Sequence, residues 1–449
     1  MKLTIPYLDK TFPLEFPDEN LLALAEPNEY SAGASAASGA DAGTLLAEAL
    51  ARPWGSVGSG GTADSGGTAG GASRSTLGDF LDGGKKLLII INDATRPTPT
   101  AAILAGLLPV IAGAGIPDSG ITLLAATGAH RAPTETEYRQ ILGEFFDRLR
   151  ERCVHHDARS DADMVDIGTT RNGTPMLLNK RLFEADRIIV TGSVEPHYFA
   201  GFTGGRKAFL PGIASYKTIE ANHKQALSPK ARSLALGGNP VHEDMMDALP
   251  LIKAPVFSVM AVLDKDQGVA AVTAGDLMGS FYAAVEIAKK IFCVSIPARA
   301  DIVVSVAKFP MDIDLYQSQK AIDNGSLALK DGGFLILVSS CRDGIGDEAY
   351  AQLLARSSSP ADAIERIRGG YKLGYHKAAK MAEVSRRASV LAVSELTAER
   401  LAPMFIEKAE SPQAAVDKAL AALTAGGTAV PKIVVLPDGC VTVPDPAGS

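Results

Sequence analysis

From residue 85 onward, short runs of aliphatic and β-branched residues alternate with stretches in which apolar positions recur every three or four residues. The first pattern predicts strands and the second predicts helices. Strands are expected at 87–91 (LLIII), 121–126 (ITLLAA), 187–191 (RIIVT), 255–263 (PVFSVMAVL), 301–306 (DIVVSV), 334–340 (FLILVSS) and 432–437 (KIVVLP). Helical patterns lie between several of them, as in TAAILAGLLPVIAGAG, TETEYRQILGEFF, SFYAAVEIAKKIF, ADAIERIRG and SPQAAVDKALAALTAG. This rhythm predicts an α/β protein with mainly parallel sheets flanked by helices. A chain of 449 residues is long enough for two lobes, and VSIPARA (294–300) ends a long helix where a break is expected. The expected division is 1–294, then 295–430, with a last segment 431–449 whose strand could cross back to the first lobe.

Two stretches depart from this pattern. Residues 31–43 and 55–75 are nearly all Gly, Ala, Ser and Thr. Side chains this small bury too little surface to offset ordering entropy, so both read as flexible insertions. Between them, TLLAEALARPW is expected to form a short helix carrying the one tryptophan, Trp54. The opening MKLTIPYLDKTFPLEF alternates like a strand and lacks an uninterrupted apolar signal core. No run reaches the roughly 18 apolar residues that span a bilayer, so a soluble, cytoplasmic protein without a membrane partner is expected.

Composition narrows the partners. The formal net charge is -7, from 51 acidic and 44 basic side chains, and such a surface repels a phosphate backbone. Nucleic acid is therefore excluded as the expected partner. Cys153, Cys293, Cys341 and Cys440 form no CxxC pair, which fits neither a disulfide framework nor a thiolate metal site.

The unusual polar residues follow the strands. LLIII runs into Asn92-Asp93-Ala94-Thr95-Arg96-Pro97, ITLLAA into Thr127-Gly128-Ala129-His130-Arg131, and RIIVT into Gly192-Ser193-Val194-Glu195-Pro196-His197. Ligands bind at the carboxyl ends of parallel strands, so three strand ends delivering Asp and Arg, then His, then His, point to one shared site. Each histidine alone reads equally as a structural residue.

Next comes Ala200-Gly201-Phe202-Thr203-Gly204-Gly205-Arg206-Lys207. Gly201, Gly204 and Gly205 would let backbone N–H groups approach a phosphate, and Arg206-Lys207 adds positive charge; the other reading is a plain glycine turn with two surface basic residues. Ala208 stands where a Walker A loop needs a hydroxyl, so an ordinary nucleoside triphosphatase is excluded. Ser215 opens a helix expected to carry His223, a candidate metal ligand. After DIVVSV, the segment from Asp312 to Lys320 could place Tyr316, Gln317 and Lys320 on one side of a helical turn. It reads equally as a polar helix start capped by Asp312 or Asp314. His155-His156-Asp157 looks metal-like, but adjacent histidines point apart and the segment reads as a solvated turn; His242 reads as a structural hydrogen-bonding residue and Gly344 as turn chemistry, while His376 could approach a substrate.

Taken together, DATRPTP, TGAHRAPT, EPHYFAGFTGGRKAFLPGI, Asn222-His223, GNPVHEDM (238–245) and YQSQK resemble the lactate racemase family, in the same order and at compatible spacings over roughly residues 85–330. The resemblance implies a two-lobed fold with the active site in the cleft between the lobes. It implies a nickel-pincer nucleotide (pyridinium-3,5-bisthiocarboxylic acid mononucleotide nickel) linked covalently to Lys207, with His223 as the protein ligand to nickel. Asp93, Ala94, Thr95, Arg96, Gly201, Gly204 and Gly205 would surround this cofactor. His130 and His197 would be paired acid–base catalysts, while Arg96, Tyr316, Gln317 and Lys320 would bind the substrate. The implied reaction is racemisation of a 2-hydroxy acid by hydride transfer through a 2-keto acid, and lobe closure would complete the site. Separate biosynthetic enzymes would have to supply the cofactor.

One departure concerns the substrate. Lactate-specific members carry an aromatic wall in the second lobe, where this chain offers Tyr371, Leu373 and Tyr375. Malate, a hydroxyglutarate, an aryl lactate or a sugar acid are then substrates as consistent as lactate. Two rival readings remain: a zinc hydrolase with His130, His197 and His223 as ligands, and a non-catalytic carrier of the nickel nucleotide.

Overall fold

The computed structural model describes residues 1–30, 41–55 and 75–447. The insertions expected at 31–43 and 55–75 therefore lie almost wholly outside the described residues. At the edge of the first, Asp41 caps helix Ala42–Ala51 by accepting the Thr44 N–H at 2.8 Å. Trp54 is not on that helix, contrary to expectation. Arg52 leaves helical geometry ahead of Pro53 (φ -132°, ψ 61°), as a residue before proline tends to. Trp54 instead bonds through its backbone to Ala274 and Asp276, at 2.7 Å each.

The chain divides into two compact units, Glu29–Lys290 and Met1–Asn28 joined with Ile291–Ser449. Each is built on a six-stranded sheet. In the Glu29–Lys290 unit the strand order is Val269–Asp276, Val256–Leu263, Arg187–Ser193, Leu87–Asn92, Ile121–Ala126 and Cys153–His155. All neighbours are parallel except the first pair. Leu87 through Ile91 are each no more than 1% exposed. That double-sided burial explains an apolar run with no alternation. Helices Thr100–Gly113 and Glu135–Leu142 contribute to the core on one face, with Leu104, Leu107 and Leu142 fully buried among strand residues Ile89 and Leu123.

In the other unit the order is Glu407–Lys408, Ser389–Val393, Leu329–Val338, Ala300–Val306, Ile433–Leu436 and Leu21–Leu24, all parallel. This corrects two expectations about the division. The last strand stays in the second unit's sheet, where Ile433–Leu436 is fully buried between Ala300–Val306 and Leu21–Leu24. Residues 1–28 also join this unit rather than the first, because Leu21–Leu24 extends its sheet and Ile5, Leu14 and Phe16 enter its core. Among the described residues no helix is long and apolar enough to cross a membrane.

Candidate functional site

In the Glu29–Lys290 sheet, strand Leu87–Asn92 leads to Ile121–Ala126 on one side and is flanked by Arg187–Ser193 on the other. The order reverses there, and such a reversal opens a crevice beyond the carboxyl ends of the strands. At this point Thr98 Oγ1 donates to Asn92 Oδ1 at 2.8 Å and lies 3.2 Å from Ser193 Oγ, tying the two strand ends together.

Asp93 is 6% exposed and receives donors on both oxygens. Oδ1 accepts from Thr95 N–H (3.1 Å) and Thr95 Oγ1 (2.6 Å), and Oδ2 lies 2.9 Å from His130 Nδ1. Burial alone would raise the Asp93 pKa. The bonds from His130 and Thr95, with the charge of Arg96, outweigh it and hold the carboxyl below its usual range. A carboxylate can only accept, so His130 carries its proton on Nδ1 and presents the Nε2 lone pair. The His130 side chain is 56% exposed, which leaves this lone pair accessible.

His197 is set the other way. Its Nδ1 accepts the Ala200 N–H at 3.3 Å, so the neutral ring bears its proton on Nε2. It lies on the two-residue strand Pro196–His197, paired antiparallel opposite Gly201, and stacks on Tyr198 with centroids 4.9 Å apart. The buried ring of Phe199 forms the hub of this region. It meets His197 edge-on at 4.6 Å and His223 at 5.0 Å, and Lys207 Nζ lies 5.5 Å from its centroid. Sequence reasoning quoted Phe199 but gave it no role; its only signal was an apolar ring between the histidine and the glycines.

His223 lies on helix Tyr216–Lys224, opened by Ser215 accepting the Thr218 N–H at 3.1 Å. Burial first, and the positive charge of Lys207 second, push its pKa down to about 3, against a smaller opposing effect of the Ile219 carbonyl. The imidazole is therefore neutral near pH 7. Its neighbour Asn222 is held by Asp244, which also accepts from Thr170 and Thr174 (2.5 and 2.7 Å).

Packing alone accounts for the glycines of the glycine-rich loop. Gly201, Gly204 and Gly205 have φ of 76°, 80° and 54°, and an added Cβ at each would strike protein. It would lie 2.2 Å from Ala235 O, 2.6 Å from Val194 Cγ2 and 2.9 Å from the Phe281 ring, respectively. Close packing within the protein thus already demands glycine at all three positions. Arg206 is likewise a structural group rather than half of a basic pair. It is fully buried, donates to Ala200 O (2.7 Å), Gly204 O (3.2 Å) and His242 Nδ1 (3.0 Å), and lies over the Phe281 ring. Burial pushes Arg206 down to about 9, and burial with the nearby Arg206 charge takes His242 down to about 3.

One further feature was not assigned from sequence. Arg96 Nη1 pairs with Glu195 Oε1 at 3.1 Å, both side chains being about a quarter exposed. The solvated-turn reading of 155–157 fails at His156, which is buried, bonding Ala214 O at 2.9 Å and accepting from Asn179 at 3.1 Å, while His155 is exposed. Ala94 and Thr95 are exposed beside Asp93.

Tyr316, Gln317 and Lys320 belong to the other unit, on helix Leu315–Gly325. Asp314 caps it by accepting the Gln317 N–H at 2.7 Å, as one reading of the sequence held. Lys320 Nζ lies 3.0 Å from Met311 Sδ. The buried Lys377 donates to the Tyr316 carbonyl and sits 4.0 Å from its ring centroid. Burial and the Lys320 charge bring Lys377 down to about 7. The Tyr371 hydroxyl bonds His376 Nδ1 at 2.8 Å.

Among the described residues no group of three or more His, Cys, Asp or Glu is arranged to hold a metal ion. His130, His197 and His223 therefore do not form the three-ligand centre that the hydrolase reading requires.

Comparison with known proteins gives consistent matches. Residues 72–234 match the lactate racemase N-terminal domain and residues 296–443 the lactate racemase C-terminal domain. A lactate racemase of Lactiplantibacillus plantarum is 35% identical over 372 residues, 81% of this chain and 86% of that protein. One from Thermoanaerobacterium thermosaccharolyticum is 35% identical over 293 residues, 65% of this chain and 68% of that protein. The structure of the lactate racemase apoprotein from Thermoanaerobacterium thermosaccharolyticum superposes with a TM-score of 0.86 at 29% identity, covering 99% of this chain and 100% of that one. A Thermotoga maritima structure shares the fold at a TM-score of 0.63 and 18% identity, covering 81% of this chain and 94% of that one.

Proposed function

The chain belongs to the lactate racemase family, and on that premise we propose that it inverts the hydroxyl-bearing carbon of lactate or a related 2-hydroxy acid with a nickel-pincer nucleotide as cofactor. In class it is an isomerase, a 2-hydroxy acid racemase. The observation that carries the reading is the Asp93–His130 pair at the strand-order reversal, which supports a histidine poised to accept a proton.

The residues fit such a cofactor. A metal ligand must be a neutral imidazole, and burial keeps His223 neutral. The Lys207 amine faces the same Phe199 ring. Lys207 would hold the nucleotide covalently, His223 would ligate nickel, and Asp93, Ala94, Thr95, Arg96 and the backbone of the Gly201–Gly205 loop would border it. When bound, the group supplies a hydride acceptor, which gives the 2-hydroxy acid a route through a planar 2-keto acid.

The protein's own groups do the remainder. Arg96 holds the substrate carboxylate with its unpaired edge. His130 takes the hydroxyl proton at Nε2. His197 is the second acid–base candidate, for the enantiomer of opposite hand; to accept a proton at Nε2 its ring must first take the Nδ1–H tautomer and release the Ala200 N–H. Two acid–base groups suit a reaction that must run in both directions. Tyr316, Gln317 and Lys320 are further substrate-binding candidates, and the cofactor-making enzymes are the required suppliers.

The test is to incubate cofactor-loaded protein with enantiopure lactate, malate and larger 2-hydroxy acids, and to follow the opposite enantiomer by chiral chromatography. One acid is expected to racemise from either hand, with loss of about 100-fold or more in both His130→Asn and His197→Asn. Full activity in both variants would return the chain to the carrier reading.

A further inference from the structure

The Arg96–Glu195 pair joins the ends of two different strands. The Arg96 N–H bonds the Asp93 carbonyl at 3.3 Å, and its guanidinium reaches Glu195 through Nη1 alone. Glu195 has a rigid footing. Its N–H donates to Thr203 Oγ1 and its carbonyl accepts the Thr203 N–H, each at 2.9 Å, while Thr203 Oγ1 donates to the Ser193 carbonyl at 2.9 Å. Both members of the pair also precede a proline, Pro97 and Pro196, which narrows their backbone freedom.

A guanidinium offers five N–H donors in a planar fork. Glu195 occupies one Nη1 donor, and among the described residues Nε and Nη2 make no hydrogen bond to protein. That remaining edge is the one that grips a carboxylate with two parallel bonds. Arg96 is otherwise a long, partly exposed side chain with several rotamers, and among the described residues only Glu195 pins its head group. From this geometry we propose that Glu195 is a positioning residue, fixing which edge of Arg96 meets the substrate carboxylate. The inference rests on the reading of Arg96 as the carboxylate clamp.

A positioning role differs from a charge role. Gln retains an oxygen that can accept from Nη1, so orientation survives without the negative charge, whereas Ala removes both. The experiment uses cofactor-loaded protein with the 2-hydroxy acid it racemises fastest. It compares Glu195→Gln, Glu195→Ala, Arg96→Ala and the Arg96→Ala/Glu195→Ala double variant, with loading checked by intact mass and folding by thermal melting. Expected values are kcat/KM within about threefold of wild type for Glu195→Gln and at least about tenfold lower for Glu195→Ala, since misplaced binding groups forfeit orientation. In the double variant no loss beyond that of Arg96→Ala alone is expected, because the two act as one unit. Equal losses in Glu195→Gln and Glu195→Ala, or additive losses in the double variant, overturn the inference. Arg96→Ala at wild-type activity overturns the clamp reading itself. An impaired Arg96→Ala beside an unimpaired Glu195→Ala overturns only the positioning role.

Discussion

Replacing Asp93 by Asn changes almost no volume but leaves the site with one acceptor too few. In the native protein Oδ1 takes two donors from Thr95 and Oδ2 takes the His130 Nδ1–H at 2.9 Å. An amide has one acceptor oxygen and one donor nitrogen. If the oxygen stays on Thr95, the amide N–H faces His130 Nδ1 and drives the imidazole proton to Nε2, so the accepting lone pair is lost. If the amide turns over, its NH2 meets the Thr95 N–H donor to donor, in a position only 6% exposed. Either arrangement forfeits a charge-assisted bond of about 1.5–3 kcal/mol. General-base catalysis contributes about 10²–10⁴, and in the serine protease triad the corresponding Asp→Asn change, through the wrong tautomer, costs about 10⁴ in kcat. For Asp93→Asn we expect kcat to fall about 100- to 1,000-fold, or about 2.7–4 kcal/mol in barrier height. The assay is racemisation by chiral chromatography on protein whose cofactor loading matches wild type by intact mass. Nitrogen-15 NMR of labelled histidine reads the tautomer directly. Activity within threefold of wild type, with His130 still protonated at Nδ1, would refute the reasoning.

Other outcomes follow from the same structure. Asp93 is held below its usual range, so it stabilises the fold above the unfolded pKa of about 3.9 and loses that contribution as pH falls through its folded value. The stability gap between wild type and Asp93→Asn should therefore narrow in acid, as read by urea titration at several pH values. His242 has a linkage of the same sign at higher pH: its folded pKa of about 3 lies below an unfolded value of about 6.5, so wild-type stability falls by up to about 1.4 kcal/mol per unit as pH drops below 6.5. His242→Gln keeps an acceptor for Arg206, and the melting temperature of its apoprotein should decline less between pH 7 and 5. Gly201→Ala places a Cβ 2.2 Å from the Ala235 carbonyl oxygen at φ 76°; a loss of about 3 kcal/mol or more is expected by denaturant unfolding.

The strand framework was legible because double-sided burial leaves continuous aliphatic runs. Ile121–Ala126 was read to the residue, and Leu87–Asn92 within one. Short or edge strands such as Glu407–Lys408 and Leu21–Leu24 carry too few residues for a pattern to rise above chance. The non-local placement of residues 1–28 depends on pairing across the chain, which no local period encodes. Within the site, strand ends delivering Asp93 and His130 pointed to proximity, and the two are hydrogen-bonded. Arg206 and Lys207 look alike as letters, yet one is fully buried and the other partly exposed. That difference comes from the packing of Phe281 and His242, both distant in sequence. Glu195 gave no signal because its role depends on a guanidinium 99 positions away.

The proposed function turns on Lys207 anchoring a nickel-bearing nucleotide beside His223. The most direct measurement is intact mass with metal analysis, on protein produced alongside the pincer-making enzymes and compared with Lys207→Ala. A covalent mononucleotide adduct with about one nickel per chain is expected in the wild-type protein, and neither in the variant. An unmodified mass in the wild-type chain, or an adduct that survives in Lys207→Ala, would contradict it.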